Sequence, residues 1–131
     1  MVVAVFNTSD DIVEMLRFAL ERAGFLVVTG HVTDMVRGSF DVQRFVAQHD
    51  PRVIVYDIAP PYEKNWQFLQ HLRRMPEIAG RPFVLTSTHA ARVRELTGVK
   101  DERILEVLGK PYDIEEIVKA VGAAAEGPAQ S

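Results

Sequence analysis

Residues 52–61 read RVIVYDIAPP, and the fold turns on this stretch. Val53, Ile54, Val55 and Tyr56 form an unbroken β-branched and aromatic run, the pattern of a strand covered on both faces. Asp57 follows at its carboxyl end, and Pro60-Pro61 prevents the strand from continuing. A carboxylate at the tip of a central strand stands where open α/β sheets hold their ligands. The alternative is a turn residue whose side chain satisfies nearby backbone amides.

Upstream, Phe40 to His49 has helical character, with Phe40, Val42, Phe45 and Val46 apolar. Gly30 to Gly38 shows no clean periodicity. Phe25 to Thr29 (FLVVT) is a strand, preceded by a helix on which Ile12, Leu16, Ala19, Leu20 and Ala23 recur at helical spacing. Ser9 suits its N-cap, and Asp10 and Asp11 suit the positive end of its dipole. Val2 to Phe6 is a further buried strand. Downstream of Asp57, a loop spans 58–63, and Trp66, Phe68, Leu69 and Leu72 mark a helix. A strand at Pro82 to Thr86, a short helix at Ala90 to Leu96 stopped by Gly98, and a strand at Arg103 to Leu108 follow. Asp113 is expected to cap the last helix, with Glu116 completing a capping box. Residues 1–122 therefore read as one domain and 123–131 (AAAEGPAQS) as a small-residue tail.

Strand and helix alternate five times, which predicts a five-stranded parallel sheet with helices on both faces, the doubly wound (βα)5 α/β class. Loops after parallel strands gather at one edge, bringing together Asn7, Thr8, Asp57, Thr86 and Lys110.

The 131 residues are enough for one domain with its own core. A hydrophobic content of 47% against 25% charged residues is the balance of a globular protein rather than a disordered one. With no cysteine, thiol catalysis, disulfides and cysteine-ligated zinc are excluded. A net charge of −3 gives no electrostatic footprint for nucleic acid. The start, MVVAVFNTSDD, lacks a basic lead, and no apolar run reaches bilayer length, so a soluble cytoplasmic protein is expected. His31, His49, His71 and His89 have no metal-ligand spacing, and no glycine-rich phosphate loop follows the first strand.

Asp57 with Pro61 four residues on, Thr86 ending the fourth strand, Lys110-Pro111 after the fifth, and a first helix reading DIVEMLRFALERAGF (11–25) together resemble a response-regulator receiver domain of two-component signalling. The resemblance covers roughly Val2 to Gly122 and implies a flavodoxin-like fold. It implies that Asp57 is a phosphoacceptor, Thr86 a switch hydroxyl and Lys110 a phosphate contact. It also implies Mg²⁺ held by Asp57 and the backbone carbonyl of Ala59. The implied partners are a histidine kinase or phosphotransfer protein, and an effector at the surface of the fourth helix, fifth strand and fifth helix; a homodimer is compatible with it. No enzymatic activity is implied beyond self-phosphorylation and dephosphorylation.

Four positions depart from the family. Asn7 and Thr8 stand where it carries an acidic pair, Val107 replaces a common aromatic, and its loop glycine falls within Glu63-Lys64-Asn65. Mg²⁺ affinity tracks ligand charge, so the metal site is expected to be weak. The alternative is a pseudo-receiver, a protein-binding module independent of phosphate.

Overall fold

The computed structural model of the chain describes residues 1–97, 104–107 and 110–127. In chain order the elements are β1 (Val2–Asn7), α1 (Asp10–Arg22), β2 (Leu26–His31), α2 (Val32–Arg37), α3 (Val42–His49), β3 (Val53–Asp57), α4 (Tyr62–Arg73), β4 (Phe83–Ser87), α5 (Ala90–Thr97), β5 (Ile104–Glu106) and α6 (Pro111–Ala125). All strand pairs are parallel, and the sheet order is β2-β1-β3-β4-β5. That is the doubly wound flavodoxin-like order, with its switch point between β1 and β3. The expected fold class is the one observed.

Alternation along the strands divides the core in two. Ala4, Phe6, Ile54, Tyr56 and Leu85 face the side covered by α2, α3, α4 and α5. Val3, Val5, Val53, Val55 and Val84 face α1 and α6. Every residue of β3 is buried, because both faces are covered.

The stretch without periodicity resolves into the end of β2 and a short helix. Strand β2 runs to His31 rather than stopping at Thr29, and Gly30 pairs with Phe6. A Cβ at Gly30 would lie 2.9 Å from the Phe6 ring, so only glycine fits beneath it. Helix α2 has six residues, too few to display a period, and ends at Gly38 with φ 83°. Helix α3 begins at Val42, two residues later than the apolar pattern suggests. Asp41 is its N-cap, accepting from Arg44 N–H at 3.0 Å. Phe40 instead packs on Phe6 and Phe45, with ring centroids 6.3 and 4.9 Å away. Helix α4 begins at Tyr62, inside the expected loop.

The last helix corrects an expectation. Its N-cap is Lys110, and Pro111 takes the first helical position, where a fixed φ and a missing N–H cost nothing. Asp113 is therefore the third helical residue and not the cap. Its Oδ2 accepts from the Lys110 N–H at 3.1 Å, while Glu116 is exposed. Helix α6 also runs through Ala125, into the stretch read as a tail, and Ala125 is buried. The expected helix stop at Gly98 and the ends of the fifth strand at Arg103 and Leu108 lie outside the described residues.

Candidate functional site at the carboxyl edge of the sheet

Four buried polar residues, Asn7, Asp57, Thr86 and Ser87, end three neighbouring strands at the switch point. Register fixes the central pair: Asp57 stands opposite Thr86 across β3 and β4. The Thr86 hydroxyl donates to Asp57 Oδ1 at 2.8 Å, and both side chains are almost completely enclosed, at 0% and 5% exposed. Enclosure removes water from the carboxylate and pushes its pKa from 3.8 up to about 6, with the Thr86 hydrogen bond pulling the other way. Next to it, burial and the neighbouring Asp57 charge push Tyr56 well above an ordinary phenol. The Tyr56 hydroxyl has no hydrogen-bond partner among the described residues.

The loop after β3 is tied down from both sides. The Ile58 N–H donates to the Thr86 carbonyl at 2.8 Å. Ser87 Oγ donates to the Ile58 carbonyl at 2.9 Å and accepts from the His89 N–H at 3.2 Å. Asn65, on the first turn of α4 and 8% exposed, donates from Nδ2 to the Ala59 carbonyl at 2.6 Å. The Pro60-Pro61 peptide bond is cis.

Asn7 and Thr8 form a turn. Asn7 Oδ1 accepts from the Thr8 N–H at 2.7 Å and the Ser9 N–H at 2.9 Å, the Asx geometry that makes asparagine common at strand ends. Asp10 and Asp11 lie exposed on the first turn of α1, and Asp10 approaches His31 Nε2 at 3.9 Å. Lys110 is exposed, and its ammonium lies over the Tyr112 ring, 5.7 Å from the centroid. Among the described residues it forms no ion pair with Asp57. Val107 is 1% exposed and packed in the core beside α6.

The structure thus brings Asp57 and Thr86 together and leaves Lys110 outside their contact. Ser87 and Asn65 complete the arrangement and were not singled out in the sequence. For Asn65 a signal existed, since it falls where the resembled family has glycine.

A divalent cation such as Mg²⁺ would need several oxygens with lone pairs to spare. The donors at hand fit it poorly. Asn7 Oδ1 carries two amide hydrogen bonds, the Ala59 carbonyl carries the Asn65 amide, and Asp57 is the one carboxylate among the described buried residues of the cluster. Among the described residues no three His, Cys, Asp or Glu side chains are grouped to hold a metal.

No family model matches the sequence, and no curated protein is significantly similar to it. Solved structures are similar. One, described as a transiently phosphorylated switch in bacterial signal transduction, is 22% identical over 95% of this chain and 93% of its own, with a TM-score of 0.66. The chemotaxis protein CheY4 of Vibrio cholerae is 17% identical over 92% of this chain and 97% of its own, with a TM-score of 0.63. The anti-anti-sigma factor PhyR of Bartonella quintana is 18% identical over 95% of this chain but only 46% of its own, also with a TM-score of 0.63. No helix among the described residues is long and apolar enough to cross a membrane. The chain has the fold of response-regulator receiver domains.

Proposed function

We propose that the chain is a two-component signalling module of the receiver type that recognises its partner without being phosphorylated. The observation that carries this reading is the Asn65 amide on the Ala59 carbonyl at 2.6 Å. An amide hydrogen there supplies positive charge to an oxygen that a divalent ion would otherwise polarise, so the loop keeps its shape metal-free. Phosphoryl transfer to a carboxylate brings two negative groups together and needs cations to offset the repulsion. Among the described residues Asp57 has neither a second carboxylate grouped with it to share a metal nor an ion pair with the Lys110 ammonium. The partner is a histidine kinase, a phosphotransfer protein or an effector, docking at the surface of α5, β5 and α6.

One observation favours a second reading, in which Asp57 is a phosphoacceptor with a weak Mg²⁺ site. Asp57 and Thr86 are adjacent in register and hydrogen-bonded at 2.8 Å, a carboxylate with a hydroxyl in reach. Mg²⁺ would then draw on Asp57 and the Ala59 carbonyl and displace Asn65.

Beryllofluoride with millimolar Mg²⁺ separates the two, because Trp66 follows Asn65 on α4 and is half-buried. The phosphorylation-independent reading expects unchanged Trp66 fluorescence and no added phosphate mass with a small phosphodonor. A saturable change that Asp57→Asn abolishes would overturn it in favour of the second.

A further inference from the structure

Strand β2 is outermost in the sheet and pairs only with β1. In a parallel ladder successive residues turn their backbone groups alternately to one side and the other. The Leu26 N–H donates to the Met1 carbonyl at 2.9 Å, so Leu26, Val28 and Gly30 face β1. Val27 and Thr29 therefore turn their N–H and C=O groups outward, and among the described residues these groups meet no backbone partner. A row of this kind is a template for another strand, and proteins blunt it with lysine, proline, a bulge or a very short strand. Strand β2 has none of these devices. Its six residues, LVVTGH, include no proline and no Lys, Arg, Asp or Glu, and its register against β1 is unbroken. Strand β5, on the opposite flank, spans Ile104–Glu106 and carries Glu106 exposed.

The side chains of β2 select what pairs with it. Turn the strand about a two-fold axis normal to the sheet at Val28, and it lies antiparallel to its own copy. Val27 of one copy then stands opposite Thr29 of the other, so the outward backbone groups meet each other. Val28 meets Val28, a β-branched cross-strand pair. Leu26, which is 67% exposed, stands opposite Gly30 on the same face of the sheet. A Cβ at Gly30 would lie 3.0 Å from the Phe40 ring, which is half-buried. The glycine thus leaves that ring as an apolar neighbour for the incoming leucine. The two His31 side chains fall at opposite ends of the pair, so no like charges are set against each other.

We propose that β2 joins two copies of this chain, antiparallel about Val28, into one continuous sheet. The contact is narrow, so the dimer is a weak one that dissociates on dilution. It does not depend on what happens at Asp57.

Sedimentation velocity over micromolar to millimolar concentration, with amide hydrogen exchange at both ends of that range, tests it. Self-association is expected, and the Val27 and Thr29 amides should exchange at least about tenfold more slowly at the high concentration. Leu26→Lys sets a charge on the outer strand and should weaken association at least about tenfold. Leu26 is solvent-exposed, so Leu26→Lys should keep the wild-type circular dichroism, and the exchange measurement needs no variant at all. A monomer throughout the range overturns the proposal, including one whose β2 takes up a strand of a different protein. So does a dimer in which Val27 and Thr29 exchange as fast as in the monomer, or one indifferent to Leu26→Lys.

Discussion

Among the described residues, Arg81 pairs with Asp50 at the amino edge of the sheet, whereas Asp57 at the carboxyl edge forms no ion pair. Arg81 donates from Nη1 to Asp50 Oδ1 and to the Pro51 carbonyl, both at 2.8 Å, and from Nε to the Glu77 carbonyl at 2.7 Å. Arg52 donates from Nε to the Ala125 carbonyl at 3.0 Å, fastening the end of α6 under the sheet. At the opposite edge Asp57 is more deeply enclosed than any of these charged side chains, and a single neutral hydroxyl stands in for a cation. Both edges belong to one sheet, so the difference is local. One end is built for stability, and the other holds a buried carboxylate at a cost, which is the mark of a site retained for something other than folding.

Removing the carboxylate should break the comparison with the largest effect. The folded pKa of about 6 lies above the unfolded value of 3.8, so between about pH 4 and pH 6 the folded chain holds a proton that the unfolded chain has released. Stability should therefore be greatest at or below pH 4, fall as the pH rises to 6, and level off above. About two pKa units correspond to about 3 kcal/mol. Asp57→Asn keeps the shape without the charge, and should be more stable than the wild type by up to that amount at pH 7 and nearly equal to it at pH 4. Urea titrations at both pH values measure this; an equal difference at both would mean that the carboxylate is not strained by burial.

Thr86→Val acts on the same pair in the opposite sense. Valine fills the same space without a donor, leaving Asp57 desolvated and unbonded. The expected loss at pH 7 is about 2 kcal/mol. Because the hydrogen bond holds the Asp57 pKa down, its titration should also move further up, which carboxyl ¹³C shifts would record. In the Asp57→Asn background the cost of Thr86→Val should shrink, and the size of that change is the coupling between the two side chains.

The amino edge supplies the control. Arg81→Ala removes three hydrogen bonds from a partly exposed side chain and should cost about 1 to 2 kcal/mol in urea melts. Its effect and that of Asp57→Asn, at opposite edges, should add within about 0.5 kcal/mol. A marked departure would mean that the two edges are not independent.

Much of this was legible in the sequence, for identifiable reasons. The run 53–56 is β-branched and uninterrupted, so strand β3 and its buried tip could be read directly, and the parallel topology followed from the alternation of strands and helices. The shared edge of Asp57 and Thr86 followed in turn, because both end strands of a parallel sheet, whereas their direct pairing across β3 and β4 is visible only in the structure. What escaped depends on side chains meeting in space. Gly30 belongs to β2 through its backbone pairing with Phe6, whose ring lies where a Cβ at position 30 would be. Helix α2 is shorter than two turns, below the length at which a period exists. Asn65 reads as one more polar residue near the start of a helix, and nothing local shows that its amide turns back onto Ala59. Asp113 reads as an N-cap because its type favours both the cap and the third helical position. Pro111 decides between them.

Lys110 is the smallest test and the sharpest for the carboxyl edge. A lysine stem has four rotatable bonds, so its place in sequence fixes where the chain passes and not where the ammonium goes. Here it goes over Tyr112, at the protein surface. A cation–π contact at an exposed site contributes about 0.5 to 1 kcal/mol at most, so Lys110→Ala should hardly change stability. It should also leave the midpoint of the Asp57 carboxyl titration where it is, because removing a positive charge raises a carboxylate pKa only when that charge is close. The ¹³C titration of Asp57 in Lys110→Ala reads this directly. An upward displacement of half a unit or more would place the ammonium beside the carboxylate in solution, and the carboxyl edge would then be a paired site like the amino edge. An unmoved midpoint leaves Asp57 as a buried acid whose neighbours are hydroxyl, amide and backbone. Such an acid lacks, among the described residues, the neighbouring positive charge that phosphoryl transfer to a carboxylate requires.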